Sequence, residues 1–383
     1  MNGKTVIRFG GCTFDPASTS TDFDREQDDL QRLIVAFAND TLESCAFYRQ
    51  RAAGAGITDV GTMEDFFSLP LLGTAESRVV GTLDLLPAGL RKVLETDGPA
   101  GLHGDDRIVR VSQSTSSSGH KPKLSLYTAS DWAASAEIWG RVLGAMTGHR
   151  SFRILNCFHP GHGMGRYIDE IVGSSGCLVV NRNHASTSID EDVRQISSGL
   201  GDLGGFDCLA APAWSPNARA KGASLDALLT ADVDNVIGRQ IRFVITAGVP
   251  LDGGGAAVRE RLAEAAEMAG NPGPEVGEIY GGAEVGICAA TCESGFLHVF
   301  SGPVFTEVVD PVTGQPAEDG AVGRVAVTSL RRGSRYVRYL IGDQARVTRG
   351  QCQCGRWSTR LAEISRVVEP ERLQSGCAAG SRG

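Results

Sequence analysis

The chain has 383 residues, of which 42% are hydrophobic and 21% are charged. These fractions are ordinary for a globular protein, and they argue against a collagen, a coiled coil or a disordered chain. The length predicts two or three domains. The net charge is −8, from 37 lysines and arginines against 45 aspartates and glutamates, and no basic block stands out. The balance disfavours nucleic acid or an anionic membrane as partner and favours small molecules.

The apolar segments and the cysteines indicate where the protein is located and whether its thiols are reduced. Residues 1–10 lack the charged start and apolar run of a signal peptide, and no stretch reaches the ~20 apolar residues of a membrane helix. We therefore expect a cytoplasmic protein without an anchor. The ten cysteines indicate reduced thiols or metal ligands rather than disulfides.

The predicted elements begin with helices and continue as an alternating pattern. Apolar residues at helical spacing over 24–51 predict an amphipathic helix, and the first hundred residues look mostly helical. Residues 107–128 predict strand, serine-rich loop, strand. Short apolar runs then alternate with helix-length segments, which indicates an α/β core with a largely parallel sheet. The four runs are residues 152–157, 177–180, 208–211 and 243–247.

A small β lobe is predicted after residue 300. Residues 308–314 predict a strand and a turn, and 322–328 predict the returning strand. The domain prediction is a helical lobe over 1–105, an α/β core over 106–299, a small β lobe over 300–370 and a flexible tail over 371–383.

The segment 112–123 is the main chemical feature, with six hydroxyl side chains, one glycine and two lysines in twelve residues. Hydroxyls and backbone N–H groups can surround phosphate oxygens, and lysine adds positive charge beside them. The Walker signature is absent, because Ser114 lies five residues before Gly119 and His120 follows it. A phosphate-binding loop is one interpretation, and a solvated serine linker is the other.

Four motifs in sequence order resemble those of the adenylate-forming enzymes, especially the phenylacetate–coenzyme A ligase family. Residues 115–122 resemble the S-S-G-T-T-G-K-P phosphate loop, and 44–49 resemble an S-P-F-Y-R stretch. Residues 279–284 are similar to I-Y-G-x-[ST]-E, and 338–343 to R-Y-x-T-x-D. The resemblance, over about residues 28–370, implies an α/β fold with a large layered N-terminal core and a small β lobe.

The sequence also departs from those motifs. Ser117 and His120 replace two loop glycines, Gly119 stands at a threonine position, and Ala283 replaces the hydroxyl residue before the glutamate. We therefore expect a locally different loop geometry.

The resemblance implies AMP-forming activation of a carboxylic acid by ATP and Mg²⁺, in which positioning and charge neutralisation carry the catalysis. Glu284 would hold Mg²⁺, and Asp343 would accept hydrogen bonds from the ribose hydroxyls. An exposed glutamate and a turn aspartate are the alternatives. Gly248 and Tyr280 would contact adenine or serve packing. Further nucleotide contacts are assigned to Thr115, Ser116, Ser117, Ser118, Gly119, Gly281 and Arg366, with Lys121 as the catalytic candidate of the loop.

The segment 156–164 falls where the family has its acyl pocket. Phe158, His162 and Gly282 are the candidate pocket residues. An aromatic wall with few polar groups suits a small aromatic acid. His162 could instead cap a helix or face solvent.

A metal site is the remaining constellation. Cys292, His298, Cys352 and Cys354 supply three thiols and one imidazole, the ligand set of a closed tetrahedral zinc site. The spacing is unorthodox, but related ligases carry a similar pair of segments. Structural zinc would clip the core to the β lobe, and unbound core cysteines are the alternative.

The family's mobile C-terminal domain carries an adenylation lysine, whereas no lysine follows Lys221 here. We expect an adenylating core with this domain absent beyond a hinge at 365–370. The acyl group would pass to coenzyme A or to a small amine or hydroxyl, in specialised metabolism. A non-catalytic nucleotide- and aryl-acid-binding relic is one alternative, and an acyl-protein synthetase using Cys377 is another. The resemblance also implies a possible homodimer.

Overall fold

The computed structural model describes residues 7–9, 12–14, 23–113, 123–147, 150–159, 163–172, 176–182, 188–213, 223–248, 256–300 and 302–367. Among these residues, a short antiparallel pair is followed by five α-helices, which we call the helical lobe. The elements are β1 (Ile7–Phe9), β2 (Cys12–Phe14), α1 (Phe23–Ser44), α2 (Ala46–Gly54), α3 (Met63–Ser68), α4 (Thr74–Val79) and α5 (Ala88–Thr96).

The helix expected over 24–51 is confirmed with one difference. Cys45 adopts extended backbone angles (φ −113°, ψ 109°) and separates α1 from α2. The apolar stripe of α1, including Leu33, Ile34 and Phe37, is fully buried. It packs against side chains of the later β lobe such as Val327, so the amphipathic face covers a sheet.

The predicted strands on either side of the serine-rich loop form a separate hairpin. They are β3 (Ile108–Gln113) and β4 (Leu124–Thr128), paired antiparallel from Ile108↔Thr128 to Gln113↔Leu124. The loop between them, residues 114–122, lies outside the described residues. The hairpin therefore fixes both ends of the loop, since Gln113 pairs directly with Leu124.

The α/β core confirms the four strands expected from the apolar runs. Within the described ranges it contains α6 (Ala129–Thr147), β5 (Arg153–Asn156), α7 (Gly163–Val172), β6 (Leu178–Asn181), α8 (Ile189–Ser198), β7 (Cys208–Ala210), α9 (Leu225–Ala231), α10 (Val236–Gln240), β8 (Phe243–Ala247), α11 (Ala256–Met268) and β9 (Glu275–Gly282). The parallel strands follow the order β6-β5-β7-β8-β9.

Both faces of this parallel sheet are covered, which explains why its strands are continuous apolar runs. Ile154 and Ile245 pack with side chains of α6 and α7 on one face. Leu155, Leu209 and Val244 pack with α8, α9 and α11 on the other. Among the helices in the described ranges, none combines the length and the apolar character that a bilayer-spanning segment needs.

The β lobe continues the same sheet with antiparallel strands. They are β10 (Gly286–Thr291), β11 (Leu297–Val299), β12 (Val304–Val309), β13 (Val322–Ser329), β14 (Tyr336–Thr348) and β15 (Arg360–Arg366). Among the described residues the sheet has eleven strands, ordered β12-β13-β14-β15-β11-β10-β9-β8-β7-β5-β6. The predicted strand and return strand are β12 and β13, whereas the predicted domain boundaries stay a prediction.

A buried arginine joins the helical lobe to the β lobe. Arg338 of β14 is 1% exposed, and its guanidinium lies 3.1 Å from Oε1 of the buried Glu307. It also donates to the backbone carbonyls of Leu69 at 2.9 Å and of Gly314 at 2.5 Å. A buried cation is tolerated only when such partners replace water. Arg338 therefore ties the end of α3 to the lobe that carries β14.

We expect Arg338→Met to lower the free energy of unfolding by about 3–5 kcal/mol, because it leaves the Glu307 carboxylate buried without its counter-charge. Urea denaturation measures the change. Arg346→Met is the matched control on the same strand, since the Arg346–Glu363 pair is solvent-exposed and contributes little. Equal losses of unfolding free energy in the two variants would contradict the larger contribution that we expect from the buried pair.

Candidate active site

Three of the residues assigned from the sequence meet at one point of the sheet. The carboxylate of Asp343 accepts a hydrogen bond from the hydroxyl of Tyr280 at 3.0 Å and one from Nη1 of Arg366 at 3.1 Å. Tyr280 lies near the end of β9, Asp343 lies in β14, and Arg366 ends β15. The antiparallel register places Asp343 directly opposite Arg366.

The local electrostatics keep the phenol of Tyr280 protonated. Burial and the adjacent Asp343 carboxylate raise the pKa of Tyr280 well above its usual value, so the phenol stays a hydrogen-bond donor. The Asp343 side chain is 17% exposed. An ionised carboxylate offers about four acceptor positions, and two are used here. The remaining positions are available to a ligand with hydroxyl groups.

Gly342 is required beside Asp343 for two reasons. Its φ of +92° lies in the left-handed region that favours glycine. A Cβ at this position would stand 2.9 Å from the guanidinium carbon of Arg366. Any larger residue would therefore push Arg366 away from Asp343.

Glu284 lies in the tight turn between β9 and β10. A Cβ on Gly281 would stand 2.1 Å from the carbonyl oxygen of Gly286, which explains the glycine in this motif. The carboxylate lies close to Gly282, because a Cβ there would be 3.2 Å from Oε2 of Glu284. Glu284 is half-buried, and among the described residues none donates a hydrogen bond to its carboxylate. Such a carboxylate fits Mg²⁺, which binds few protein oxygens and retains waters.

Two tyrosines of β14, the strand that carries Asp343, lie within electrostatic reach of Glu284. Burial raises the pKa of Tyr336 and Tyr339, and the negative charge of Glu284 raises both further. The charge of Arg366 acts on Tyr339 in the opposite direction. Tyr339 therefore lies within electrostatic reach of both Glu284 and Arg366.

Two polar residues outside the assigned set lie at this location: Lys123, expected only to have a role in the loop, and Ser77, which sequence reasoning missed. Nζ of Lys123 donates to the hydroxyl of Tyr339 at 2.6 Å and to Oγ of Ser77, which is buried in α4. The ammonium also lies 4.7 Å from the centroid of the Tyr339 ring. The motif pointed to Lys121, because the K-P step precedes Lys123 in the sequence. No sequence signal identified Ser77, which comes from another lobe.

The candidate acyl-pocket residue Phe158 belongs to a buried aromatic cluster. Its side chain is 2% exposed and packs in the same cluster as Trp139 and Tyr167. Tyr167 stacks on Trp132 with ring centroids 5.0 Å apart. Gly248, the assigned adenine contact, directly follows β8, with a φ of +94° and open space around its Cβ position. Its backbone could approach a flat ligand closely.

Several assigned residues lie outside the described part of the chain. They are Thr115, Ser116, Ser117, Ser118, Gly119 and Lys121 of the serine-rich loop, His162, and Cys377 of the tail.

The four assigned metal ligands do come together. The ligand atoms of Cys292, His298, Cys352 and Cys354 all lie within 4.8 Å of one another. The Sγ atoms of Cys292 and Cys352 are 4.0 Å apart, and Sγ of Cys354 is 3.6 Å from Nε2 of His298. Tetrahedral zinc with Zn–S of about 2.3 Å and Zn–N of about 2.0 Å requires S–S and S–N separations of about 3.8 and 3.6 Å. The distances fit zinc.

Two similar backbone turns present these thiols. The N–H of Cys292 donates to the carbonyl of Phe296, and the N–H of Gly295 donates back to Cys292. Cys352 repeats the pattern with Arg356 and Gly355. Both glycines have positive φ, +78° and +85°. In both turns the second-last residue is therefore glycine, because its left-handed backbone conformation favours glycine.

His298 has a partner for its other ring nitrogen. Oγ of Ser358 lies within hydrogen-bond distance of Nδ1. Such a contact fixes a metal-binding imidazole and leaves Nε2 as the ligand atom. Ser358 was not identified from the sequence.

We expect Tyr280→Phe to lower the free energy of unfolding by about 1 kcal/mol, because Asp343 loses its buried donor. In an Asp343→Ala background, Tyr280→Phe should lower the free energy of unfolding by less. Urea denaturation of the parent, the two single variants and the double variant gives the coupling energy between Tyr280 and Asp343. Tyr336→Phe is the control, since its hydroxyl bonds Ser125 at 2.9 Å and its effect should be unchanged by Asp343→Ala. A coupling near zero for Tyr280 would contradict the observed contact.

Comparison with known proteins gives a consistent relationship. A phenylacetate–coenzyme A ligase of Thermus thermophilus is 24% identical over 345 residues, 88% of this chain and 68% of that protein. A crystal structure of 2-hydroxyisobutyryl-CoA ligase in an open conformation with 2-HIB-AMP and CoA aligns over 94% of this chain and 82% of that one, with a TM-score of 0.71 and 16% identity. The same enzyme in its thioesterification state aligns with a TM-score of 0.69 at 16% identity, over 92% of this chain and 73% of that one.

No protein-family model matches the chain. The fold nevertheless agrees with the solved ligase over 94% of the chain, and the sequence match to the Thermus thermophilus enzyme extends over 345 residues. In sequence the chain is therefore similar to a phenylacetate–coenzyme A ligase, and in fold it is similar to 2-hydroxyisobutyryl-CoA ligase.

Proposed function

We propose that the chain activates a small carboxylic acid with ATP, giving an acyl-adenylate and pyrophosphate. The observation that carries the proposal is the meeting of Tyr280, Asp343 and Arg366, together with the carboxylate of Glu284, whose charge reaches Tyr339 of the strand that carries Asp343. One end of this site offers acceptors for the hydroxyls of a sugar. The other offers a carboxylate suited to a phosphate-bound cation.

Each side chain has a defined task in this reaction. Asp343 accepts hydrogen bonds from the ribose hydroxyls, and Tyr280 and Arg366 hold its carboxylate in place. Glu284 would hold Mg²⁺, which supplies neutralisation of phosphate charge. Lys123 adds a fixed positive charge at the end of the serine-rich loop. With the nucleotide held, an oxygen of the substrate carboxylate attacks the α-phosphorus in line, and pyrophosphate leaves.

The acid is proposed to be small and aromatic. The support is the position of Phe158 in the segment that resembles the family's acyl pocket, packed in an aromatic cluster with Trp132, Trp139 and Tyr167. One relative is a phenylacetate–coenzyme A ligase, and the solved ligase is bound to 2-HIB-AMP and CoA. Coenzyme A is therefore the first acceptor to test, before small amines and alcohols. A cytoplasmic location, where ATP is available, agrees with this chemistry.

The direct test is acid-dependent exchange between ATP and labelled pyrophosphate in the presence of Mg²⁺. The panel contains benzoate, phenylacetate, a hydroxybenzoate and 2-hydroxyisobutyrate, and we expect exchange with at least one aromatic acid. Product analysis after adding coenzyme A distinguishes a thioester from an amide or ester. Folded protein that binds nucleotide by calorimetry but exchanges with no acid would contradict the proposal and favour the non-catalytic alternative.

We expect Glu284→Gln to lower kcat for exchange by about 10²–10³-fold, because the developing charge on the phosphates loses its fixed neutralising partner. The free energy of unfolding should change little, since Glu284 is half-buried and unpaired within the described part of the chain. Glu318→Gln is the control, because Glu318 is exposed and lies in the β lobe before β13. Similar rates for the two variants would exclude Glu284 from the reaction.

The proposal includes a structural zinc ion on Cys292, His298, Cys352 and Cys354. The four ligands are three soft sulfurs and one imidazole at tetrahedral separations, which suits zinc better than Mg²⁺. The ion would supply cohesion rather than chemistry. It would join the segment after Cys292 to the segment that leads into β15.

We expect purified protein to contain about one zinc per chain, and Cys352→Ser to lose it with a fall of several degrees in Tm. Cys177→Ser is the control, because Cys177 is a buried thiol elsewhere in the core and should leave the zinc content unchanged. Elemental analysis and thermal unfolding make the two measurements. Less than roughly 0.2 zinc per chain in the parent protein would rule out a closed site.

A further inference from the structure

Arg331 is a charged residue buried directly against the turn that carries Glu284. It lies between β13 and β14 and is 1% exposed. Nη1 donates to the carbonyl oxygen of Glu284 at 2.7 Å, and Nη2 donates to the carbonyl oxygen of Val285. The guanidinium carbon lies 3.9 Å from the centroid of the Tyr127 ring.

Burying an arginine here costs more free energy than burying an apolar residue that fills the same space. A buried guanidinium loses its hydration and must recover it through hydrogen bonds. Nε of Arg331 has no partner among the described residues, and no carboxylate in that part of the chain accepts a hydrogen bond from the guanidinium. The adenylation chemistry proposed above does not use the side chain directly. Any role of Arg331 in this chemistry is therefore exerted through the groups that it contacts.

Those groups are three consecutive carbonyls of the turn. Arg331 holds the carbonyls of Glu284 and Val285, and the hydroxyl of Tyr127 lies 3.4 Å from the carbonyl of Ala283. Fixing successive peptide planes fixes the direction of the Cα–Cβ bond between them. Ala283 has no hydroxyl with which to brace the turn from within. The turn is braced by Arg331 and Tyr127 instead.

Arg331 itself stands on a rigid support. The carboxylate of Asp131, which is 4% exposed, accepts the backbone N–H groups of Arg332 at 2.8 Å and of Gly333 at 2.9 Å. The same carboxylate accepts the N–H of Thr128 at the start of α6. The segment after Arg331 is thus anchored to the core by backbone contacts. Movement of the guanidinium is limited accordingly.

The turn is tightly packed against Arg331 at Gly286, its C-terminal end. Gly286 has a φ of +93°, and a Cβ there would stand 3.0 Å from Nη2 of Arg331. The N–H of Val285 also donates to the carbonyl of Gly282 at 3.2 Å. The guanidinium and the turn are therefore packed as one unit.

We propose that Arg331 is a positioning residue for Glu284: its two-pronged contact with the carbonyls of Glu284 and Val285 aims the Glu284 carboxylate at the cation and phosphates of ATP. The inference rests on the proposed function, since the aim matters only if Glu284 acts in adenylation. A small displacement of such a group lowers the rate strongly while leaving substrate binding largely intact.

The test compares Arg331→Met and Arg331→Lys with the control Arg332→Gln. Arg332 is the neighbouring residue, and its side chain forms an exposed pair with Asp106. We expect Arg331→Met to lower kcat for pyrophosphate exchange by about 10–100-fold and to raise the Mg²⁺ concentration at half-maximal rate, with the KM for the acid unchanged. Lysine can hold one carbonyl and should restore part of the rate. Arg332→Gln should match the parent.

Hydrogen–deuterium exchange supplies a readout independent of activity. In Arg331→Met the amides of the turn peptide 281–287 should exchange at least several-fold faster than in the parent, and those of β13 should not. If the parent protein adenylates no acid, the proposed function fails, while faster exchange confined to the turn still supports the contact. A folded Arg331→Met with parental kcat and Mg²⁺ dependence would overturn the inference. So would a loss of rate explained by global destabilisation, with lysine giving no recovery.

Discussion

The antiparallel pairing of β14 with β15 is the constraint on which the candidate site depends. It sets Asp343 opposite Arg366, and the strand order β15-β11-β10-β9 then brings Tyr280 to the same carboxylate. Register in a sheet changes in whole-residue steps, and a shift of one residue would turn Asp343 to the other face. The site is therefore as well defined as the hydrogen-bond ladder between the two strands.

Buried arginines carry the contacts that a sheet cannot make by itself. Arg338 joins the helical lobe to β14 through carbonyls of Leu69 and Gly314, and Arg331 braces the turn at Glu284 through two further carbonyls. A guanidinium has five N–H donors in a rigid fork, so one side chain can bind several backbone acceptors at once. Both residues hold irregular backbone rather than regular strands, and the turn held by Arg331 carries Glu284.

One strand connects the cysteine–histidine cluster with the group at Asp343. β15 begins next to the turn that presents Cys352 and Cys354, and it ends with Arg366 at Asp343. At its first residues it pairs with β11, which contains His298. The proposed zinc ion would hold one end of the strand whose other end completes the site. The seven residues of β15 therefore link the proposed zinc cluster with the candidate site.

The sequence by itself determined the elements and the candidate residues that local pattern encodes. Helical spacing predicted α1, apolar runs predicted β5 to β8, and motif order identified Glu284 and Asp343, because periodicity and spacing are local properties. Only the tertiary structure decided that Tyr280 bonds Asp343 across 63 positions, that Lys123 contacts Tyr339, and that Arg331 holds the turn at Glu284. Those contacts depend on strand order, register and burial, which arise when distant segments pack and leave no trace in the spacing of neighbouring residues.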